Sequence, residues 1–581
     1  MRNQETAYEI ISQFPAEKRY ILSAMHEFQD RCGYVSSDHM KEMAKYFDVS
    51  IGNLFSDLTF YDRFTTEKEG SIVFSVCDGT VCSAKGSHEI LKKIQETLGI
   101  TPGHTTQDGR FSLRTVRCMG ACEHAPVMVI GDDIYKGILP KDIENVVRSV
   151  DTGMIQEKRS GTMNIIPGKP PEILTKCYTN LSDYLRHGGG EALRKALDFD
   201  RRKQILEEVK KSGLRGRSGS GFPVGMKWEA GYNAKGRSSN FIDKYIVANG
   251  DEGDPGAFMD RWLLENNPYS VIEGMIVGGY CISANKGYIY IRDEYKDAIN
   301  TVNRALQEMR EHGMLGRRIL DSDYTLDIEV VRAGRAYVCG EESALIESIE
   351  GNIGVPRIKP PFPTYRGILE QPTVINNIET FANIPFIIAK GGEEYSRIGK
   401  GSSTGTKIFS LSGDLNVKGN VEIPLGEITL KELIEEYGGG AAGGRKIKCV
   451  QVGGPLGSFI TADELDVVLG FEEFANAGIT FGSGGIIVLS EEVKAMDLLR
   501  NAVAFLSDES CGTCTPCREG LRILSEIVTK EYLAEQDIDL IEKIAQAAGL
   551  ASRCAFGKAM CNPIRSIIMK FRQEITGRVG A

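Results

Sequence analysis

Apolar residues recur at close to helical spacing through the first 66 residues, at Ile10, Ile11, Phe14, Ile21, Leu22 and Met25. That period predicts a bundle of amphipathic helices with no visible chemistry of its own. Ser37 precedes Met40, Met43 and Phe47, and Ser50 precedes a further apolar stretch, so each is placed to cap a helix. From residue 71 the pattern shortens. Runs over 71–76, 111–116 and 127–130 read as strands, with one helical stretch over 90–98 among them, the layout of a compact α/β unit. Residues 156–175 carry Ser160-Gly161, Pro167-Gly168 and Pro170-Pro171 and read as a linker. The run at 245–248 has the pattern of a buried strand inside a larger region, 176–400. Residues 401–495 alternate β-like runs (406–411, 449–452, 485–489) with glycine turns and one helical stretch over 430–437, and 496–581 is helical again.

Composition narrows the class. Hydrophobic residues make up 41% and charged residues 25% of 581, a globular balance. The net charge of −10 and a pI near 5.5 leave no basic excess for nucleic acid. The N-terminus has no apolar signal core, and the most apolar segment, 269–291, is interrupted by Glu273 and Lys286. No membrane span is therefore expected, and the expected location is the cytoplasm.

Chemistry concentrates in a few strings. Gly213-Leu-Arg-Gly216-Arg-Ser-Gly219-Ser-Gly221-Phe222-Pro-Val-Gly-Met-Lys227-Trp228 places four glycines within nine residues. Such a backbone can approach an anion and turn successive N–H groups toward it, and Lys227 is placed to neutralise a phosphate. The spacing is neither a dinucleotide fingerprint nor a Walker A loop, and a plain glycine-rich turn is the competing reading. In Asn249-Gly-Asp251-Glu252-Gly-Asp254-Pro-Gly256, the amide and carboxylates suit the hydroxyls of a ribityl or ribose chain, or a solvated acidic turn. Cys339-Gly340-Glu341-Glu342-Ser343 reads as a helix start, and Lys359-Pro-Pro-Phe362-Pro as a stiff loop. Gln371-Pro-Thr-Val-Ile-Asn376-Asn377 follows.

Of fourteen cysteines, eight fall in groups. Cys77-x4-Cys82 and Cys118-x3-Cys122 are two close thiolate pairs, fit for two irons or one tetrahedral zinc. Cys511-x2-Cys514-x2-Cys517 with a remote Cys554 is a [4Fe–4S] pattern, with Cys561 a competing fourth ligand. Clustered cysteines in a large chain point to metal sites in a reducing compartment. The other six, Cys32, Cys177, Cys281, Cys339, Cys449 and Cys561, read as small buried apolar residues.

In this order, the strings resemble the NADH-binding flavoprotein subunit of respiratory complex I and its soluble relatives in hydrogenases and formate dehydrogenases. Residues 1–155, with Cys77-Asp-Gly-Thr-Val-Cys82 and Arg117-Cys-Met-Gly-Ala-Cys122-Glu-His-Ala-Pro126, resemble the thioredoxin-like [2Fe–2S] small subunit that accompanies it, fused ahead of the large one. The resemblance implies a multidomain α/β chain: a helical bundle (1–66), a thioredoxin-like [2Fe–2S] domain (67–155), the linker (156–175), a Rossmann-like FMN- and NAD(H)-binding domain (176–400), a ubiquitin-like β-grasp domain (401–495) and a helical [4Fe–4S] domain (496–581). It implies FMN contacts from Gly216, Lys227, Asn249, Asp251, Gly340, Glu341, Asn376 and Asn377. It implies NAD(H) contacts from Phe222, Asp254, Glu342, Lys359 and Phe362. It assigns [2Fe–2S] to Cys77, Cys82, Cys118 and Cys122, and [4Fe–4S] to Cys511, Cys514, Cys517 and Cys554. Cys554 is preferred over Cys561 because Cys554-Ala-Phe-Gly557 resembles the family's Cys-Ala-Leu-Gly. Two positions depart from the pattern. Asp254 stands where the family has Glu, and Ala230 where an aromatic often stacks on adenine, a loss of about 1 kcal/mol.

The activity so implied is that of a diaphorase. Hydride exchange between NAD(H) and FMN is followed by single-electron transfer through the clusters, with no side-chain acid, base or nucleophile. The expected partner is a soluble iron–sulfur subunit with a catalytic metal, of formate dehydrogenase, hydrogenase or aldehyde oxidoreductase type. Two alternatives stay open: an electron-bifurcating subunit with ferredoxin as second partner, and a relay or assembly subunit whose nicotinamide site has decayed. No cysteine group follows Cys561, so the ferredoxin-like tail of some hydrogenase-linked relatives is expected to be absent.

Overall fold

The computed structural model describes residues 2–131, 133–151, 163–198, 201–235 and 244–578; Ser160-Gly161 of the expected linker lie outside them. The N-terminal period forms four helices, Arg2–Ile11, Ile21–Cys32, Ser37–Phe47 and Ile51–Phe60. Ser36, not Ser37, caps the third: its Oγ accepts the His39 N–H at 3.1 Å, and Ser37 is already helical. Ser50 caps the fourth as expected, accepting the Asn53 N–H at 3.1 Å. The apolar faces of these helices share a core with Tyr245, Val247, Tyr288 and Tyr290, far along the chain. At that seam the buried carboxylate of Asp293 accepts Arg63 Nε at 2.6 Å and Arg332 Nε at 2.8 Å. The bundle is thus docked on the central domain.

The first sheet has five strands, in the order His104–Thr105, Phe111–Val116, Ile72–Cys77, Val127–Ile130, Asp133–Lys136. Ile72–Cys77 runs parallel to Phe111–Val116, with Cys77 opposite Val116. That register brings Cys77 and Cys118, two residues beyond Val116, to the same edge of the sheet.

The second sheet is fully parallel, in the order Thr373–Asn377, Tyr245–Gly250, Lys286–Arg292, Asp327–Ala333. From Tyr245–Gly250 the chain moves outward twice on one side, then returns with Thr373–Asn377 on the other. Connections that leave two adjacent parallel strands in opposite directions open a crevice at their carboxyl ends. The apolar segment 269–291 belongs here: helix Pro268–Ile282 is buried on every side and leads into Lys286–Arg292. Its Glu273 is fully buried and accepts the N–H groups of Gly190 and Leu193, each at 2.8 Å. Among the described residues no helix is long and apolar enough to cross a membrane.

The third sheet has six strands, in the order Ser458–Thr461, Ile447–Val452, Gly485–Ser490, Thr406–Gly413, Gly419–Pro424, Ile165–Ile166. Its last strand comes from the segment read as a linker. Ile165 and Ile166 pair with Asn420 and Val421, and the buried Glu422 carboxylate accepts the N–H groups of Ile173 at 2.7 Å and Thr175 at 2.9 Å. A two-residue strand has no readable period, which is why the sequence gives no sign of it. The chain closes with helices Ala495–Asp508, Thr515–Ile527, Glu535–Ala551, Ala555–Ala559 and Cys561–Ile575. Val81 and Met119 of the first domain, Ile487 of the third sheet, and Leu506 and Ile564 of these helices belong to one core. Of the six scattered cysteines, Cys281, Cys339 and Cys449 are buried as expected, but Cys32 and Cys561 are partly exposed and Cys177 is exposed.

Candidate functional site

A cavity of about 520 Å³ opens at the carboxyl ends of Tyr245–Gly250 and Thr373–Asn377. Asn249, Asn376 and Asn377 line it from the strand ends, Gly216, Phe222 and Lys227 from the glycine-rich loop and the helix after it, and Gly340, Glu342, Lys359 and Phe362 from the facing segments. The loop is closed on itself: the Gly216 N–H donates to the Phe222 carbonyl at 2.9 Å, and Arg215 bridges to Pro223. It is also held from behind. Arg217 is 1% exposed and donates to Thr404 O at 2.7 Å, Thr406 O at 3.0 Å and Tyr395 Oη at 3.0 Å. Its charge is therefore part of the scaffold.

Charge on the cavity wall is organised around Glu342. Lys227 Nζ donates to Glu342 Oε2 at 3.4 Å and to Ile375 O at 3.0 Å, while Lys359 Nζ donates to Glu342 Oε1 at 3.0 Å and Glu341 Oε1 at 2.6 Å. Burial opposes ionisation of Glu342, but the two ammonium groups outweigh it and hold its carboxyl below the ordinary range. Two ammonium groups and the two carboxylates of Glu341 and Glu342 balance in charge, and of the two ammonium groups only Lys227 has no second carboxylate, which leaves it the better placed to meet a phosphate. Asn376 Oδ1 accepts the Trp228 Nε1–H at 2.9 Å, a bond that does not use its amide N–H groups. Asn377 uses its side chain inward: Oδ1 accepts the Glu379 N–H at 2.9 Å, and Nδ2 donates to Asp260.

Asp251, Glu341 and Asp254 do not line the cavity. Asp251 is partly exposed beside Gly340, but its Oδ2 is buried without a hydrogen-bond partner, and desolvation pushes its carboxyl up to about 7. Glu341 is the N-cap of helix Glu342–Ile349, its Oε2 accepting the Ser343 N–H at 2.9 Å and the Ala344 N–H at 3.1 Å. Asp254 turns the other way and accepts the hydroxyls of Tyr337 and Ser483, each at 2.7 Å.

The sequence reading missed Ser218, Ser220, Met226, Tyr365 and Thr380, all of which line the cavity. Ser218 and Ser220 stand inside a string already singled out. Tyr365 lies three residues beyond Phe362, and only the fold brings it to the same rim.

The residues fit a bound flavin nucleotide on one further ground. Gly216 lies outside the left-handed region, and a Cβ there would meet no protein atom closer than 3.7 Å. The fold itself does not demand glycine at 216; the space beside it belongs to the cavity.

Cys77, Cys82, Cys118 and Cys122 converge and are each 1–2% exposed. Cys118 Sγ and Cys122 Sγ are 3.3 Å apart. Hydrogen bonds from Cys122 and Cys77 hold the Cys118 thiol well below its ordinary range, while its partners' thiols are raised. Backbone N–H groups are aimed at sulfur: Gly120 at Cys118 Sγ at 3.4 Å, and Gly256, from the central domain, at Cys122 Sγ at 3.3 Å. Buried thiols with N–H donors suit thiolates around an iron–sulfur core. No group of three or more His, Cys, Asp or Glu side chains among the described residues is placed to hold a single metal ion.

Cys511, Cys514, Cys517 and Cys554 gather where the loop after Asp508 meets the starts of helices Thr515–Ile527 and Ala555–Ala559. Burial pushes the Cys517 thiol up to about 11, and Cys514, Cys554 and Cys511 push it the same way. Cys561 points elsewhere, toward Lys558 O and Asn562 Oδ1, each at 3.6 Å.

Three family models match the chain: the Nuo51 FMN-binding domain over 209–386, a thioredoxin-like [2Fe–2S] ferredoxin over 7–151, and the NADH-ubiquinone oxidoreductase-F iron–sulfur binding region over 497–578. The chain is 42% identical over 403 residues to the HndC subunit of the NADP-reducing hydrogenase of Solidesulfovibrio fructosivorans, covering 69% of this chain and 81% of that one. It is 40% identical over 398 residues to an NADH-quinone oxidoreductase subunit of Aquifex aeolicus, covering 68% and 90%. Among solved structures it is similar to a chain of an NAD⁺-reducing [NiFe]-hydrogenase in the air-oxidised state, with TM-score 0.84 and 28% identity, over 97% of this chain and 94% of that one.

Proposed function

The chain belongs to the family of flavin-binding NADH-quinone oxidoreductase subunits and their hydrogenase counterparts, and we propose that it is the NAD(H)-handling diaphorase module of a multisubunit oxidoreductase. The observation that carries this reading is the placement of the cavity. It opens at the carboxyl ends of two parallel strands; the chain beyond Asn249 reaches Gly256, whose N–H donates to Cys122 Sγ, and Tyr337, three residues before Gly340, is bonded to Glu509, two residues before Cys511.

Bound FMN supplies the conversion between a two-electron hydride and the single electrons that clusters carry. The chain's own residues position and shield. The Gly216 loop and Lys227 take the flavin phosphate, and Asn249 and Asn376 take polar groups of the flavin. Glu342 and Lys359 order the dinucleotide, with Phe222 and Phe362 as its apolar walls. Cys77, Cys82, Cys118 and Cys122 would hold [2Fe–2S] and Cys511, Cys514, Cys517 and Cys554 would hold [4Fe–4S], groups that supply one-electron transfer toward a soluble iron–sulfur partner with its own catalytic metal. The reading places the protein in the cytoplasm, with NAD(H). A relay subunit with a decayed nicotinamide site is the second reading, resting on Ala230 in the cavity wall. Phe222, Phe362 and Tyr365, each about half exposed or more on the same cavity, weigh against it because aromatic surface remains for an adenine.

Anaerobically purified protein should hold FMN and about six irons, the sum of the two clusters. Alone it should reduce viologen dyes with NADH yet turn over no formate, hydrogen or aldehyde. Turnover of one of those substrates without a partner refutes the reading. Lys227→Ala should weaken FMN retention by about 1.5–3 kcal/mol, read by flavin release on dilution. Glu342→Gln should keep FMN and raise KM for NADH several-fold.

A further inference from the structure

The turn Asp254-Pro255-Gly256 belongs to the central domain, yet it forms part of the bed of the four buried cysteines. Gly256 donates its N–H to Cys122 Sγ at 3.3 Å. Pro255 packs beside Gly79, where an added Cβ would stand 3.7 Å from Pro255 Cβ, 3.7 Å from Cys77 Sγ and 3.6 Å from Cys118 Cβ. The turn has little freedom. Gly256 lies at φ +90°, and a Cβ on it would come within 2.6 Å of Ile487 in the third sheet. Its open end is fixed by the side chain of Asp254, whose two oxygens accept the Tyr337 and Ser483 hydroxyls at 2.7 Å. Tyr337 is anchored in turn: its N–H donates to Glu509 Oε2 at 3.1 Å, and its ring meets Phe505 and Phe556 edge-on at 5.2 and 5.9 Å.

Resting on the assignment of a [2Fe–2S] cluster to Cys77, Cys82, Cys118 and Cys122, we propose that Asp254, Tyr337 and Ser483 are positioning residues that set that cluster's reduction potential by holding the Gly256 N–H on Cys122. A hydrogen bond to a ligand sulfur favours the reduced, more negative cluster and raises its potential. The three side chains touch no ligand sulfur in any hydrogen bond of the structure; they act through the backbone of one turn. The potential of a cluster carried by residues 67–155 thus depends on residues of the central domain, 176–400, and of the domain built on the third sheet.

The test is redox titration of the full-length holoprotein followed by EPR, with pulsed EPR on protein labelled with ¹⁵N-glycine. Tyr337→Phe combined with Ser483→Ala removes both hydroxyls without changing charge. The [2Fe–2S] midpoint should fall, by up to a tenfold change in the reduced-to-oxidised ratio, or 59 mV for one electron, while the [4Fe–4S] midpoint stays in place. The ¹⁵N coupling from Gly256 should weaken, with that from Gly120 as internal reference. Asp254→Asn keeps the shape of the clamp and should weaken the same coupling if the double variant misfolds. An intact [2Fe–2S] signal with unchanged midpoint and coupling in both variants overturns the proposal. Absence of a [2Fe–2S] signal from the unaltered protein would instead overturn the cluster assignment beneath it.

Discussion

Cys77, Cys82, Cys118 and Cys122 are each 1–2% exposed, whereas Cys511, Cys514 and Cys554 are half-buried and only Cys517, at 4%, is inside. The difference follows from where each group sits. The first lies at the end of strand Ile72–Cys77, in the short helix Thr80–Ala84 and in the turn after Phe111–Val116, and the central turn 254–256, the third sheet and the C-terminal helices close over it. The second lies on a loop and two helix starts of the last domain, with three of its four cysteines partly exposed. A sealed cluster is surrounded by fixed dipoles from several domains, so its potential can be tuned finely but no partner reaches it closely. A cluster at a helical surface is open to solvent and to a docking protein. The family resemblance implies that the open group is the exit and the sealed group an electron store, and the difference in exposure accords with those roles.

The comparison breaks most plainly at the fourth ligand of the open group. Cys554→Ala should abolish the [4Fe–4S] EPR signal, whereas Cys561→Ala should keep it; the reverse outcome would move the group toward the C-terminal helix. A rate comes next. Under a chelator with mild oxidant, iron should leave the open group about tenfold faster than the sealed one, because susceptibility follows exposure. EPR sampled over time reads both losses together, and equal rates would erase the contrast. The smallest effect is thermal. Cys118→Ala sits where three domains share a core, and should lower Tm by about 5 °C. Cys511→Ala should lower it by less, and calorimetry ranks the two. A larger drop from Cys511→Ala would show that the open group carries more of the stability than its exposure implies.

Patterns that depend on near neighbours were legible. Cysteine spacing, the helical period of both ends and the runs at 111–116 and 127–130 agree with the elements found. What depends on distant partners was not. Ile165–Ile166 looks like linker because its partners, Asn420 and Val421, lie some 255 residues away. Asp254 stands in a string that resembles a nicotinamide site, but its orientation is decided by Tyr337 and Ser483, which the string does not contain. Glu341 and Glu342 are adjacent and chemically alike. Helix geometry separates them, making one a cap and leaving the other on the cavity. Ser36 and Ser37 are equally good caps on paper, and only the start of the apolar face in three dimensions chooses between them.

Arg217 has a consequence for the order in which the protein matures. Its anchors, Tyr395, Thr404 and Thr406, are synthesised 178 to 189 residues after it. Until they fold, Arg217 has none of the oxygens that fix it and stays in water, and the glycine-rich loop has no anchor behind it. The cysteine bed waits longer still, for Ser483 and Ile487. On a ribosome the flavin pocket would thus be finished before the first-made cysteines are sealed. The bed of those cysteines is complete only when the third sheet and the C-terminal helices are both in place.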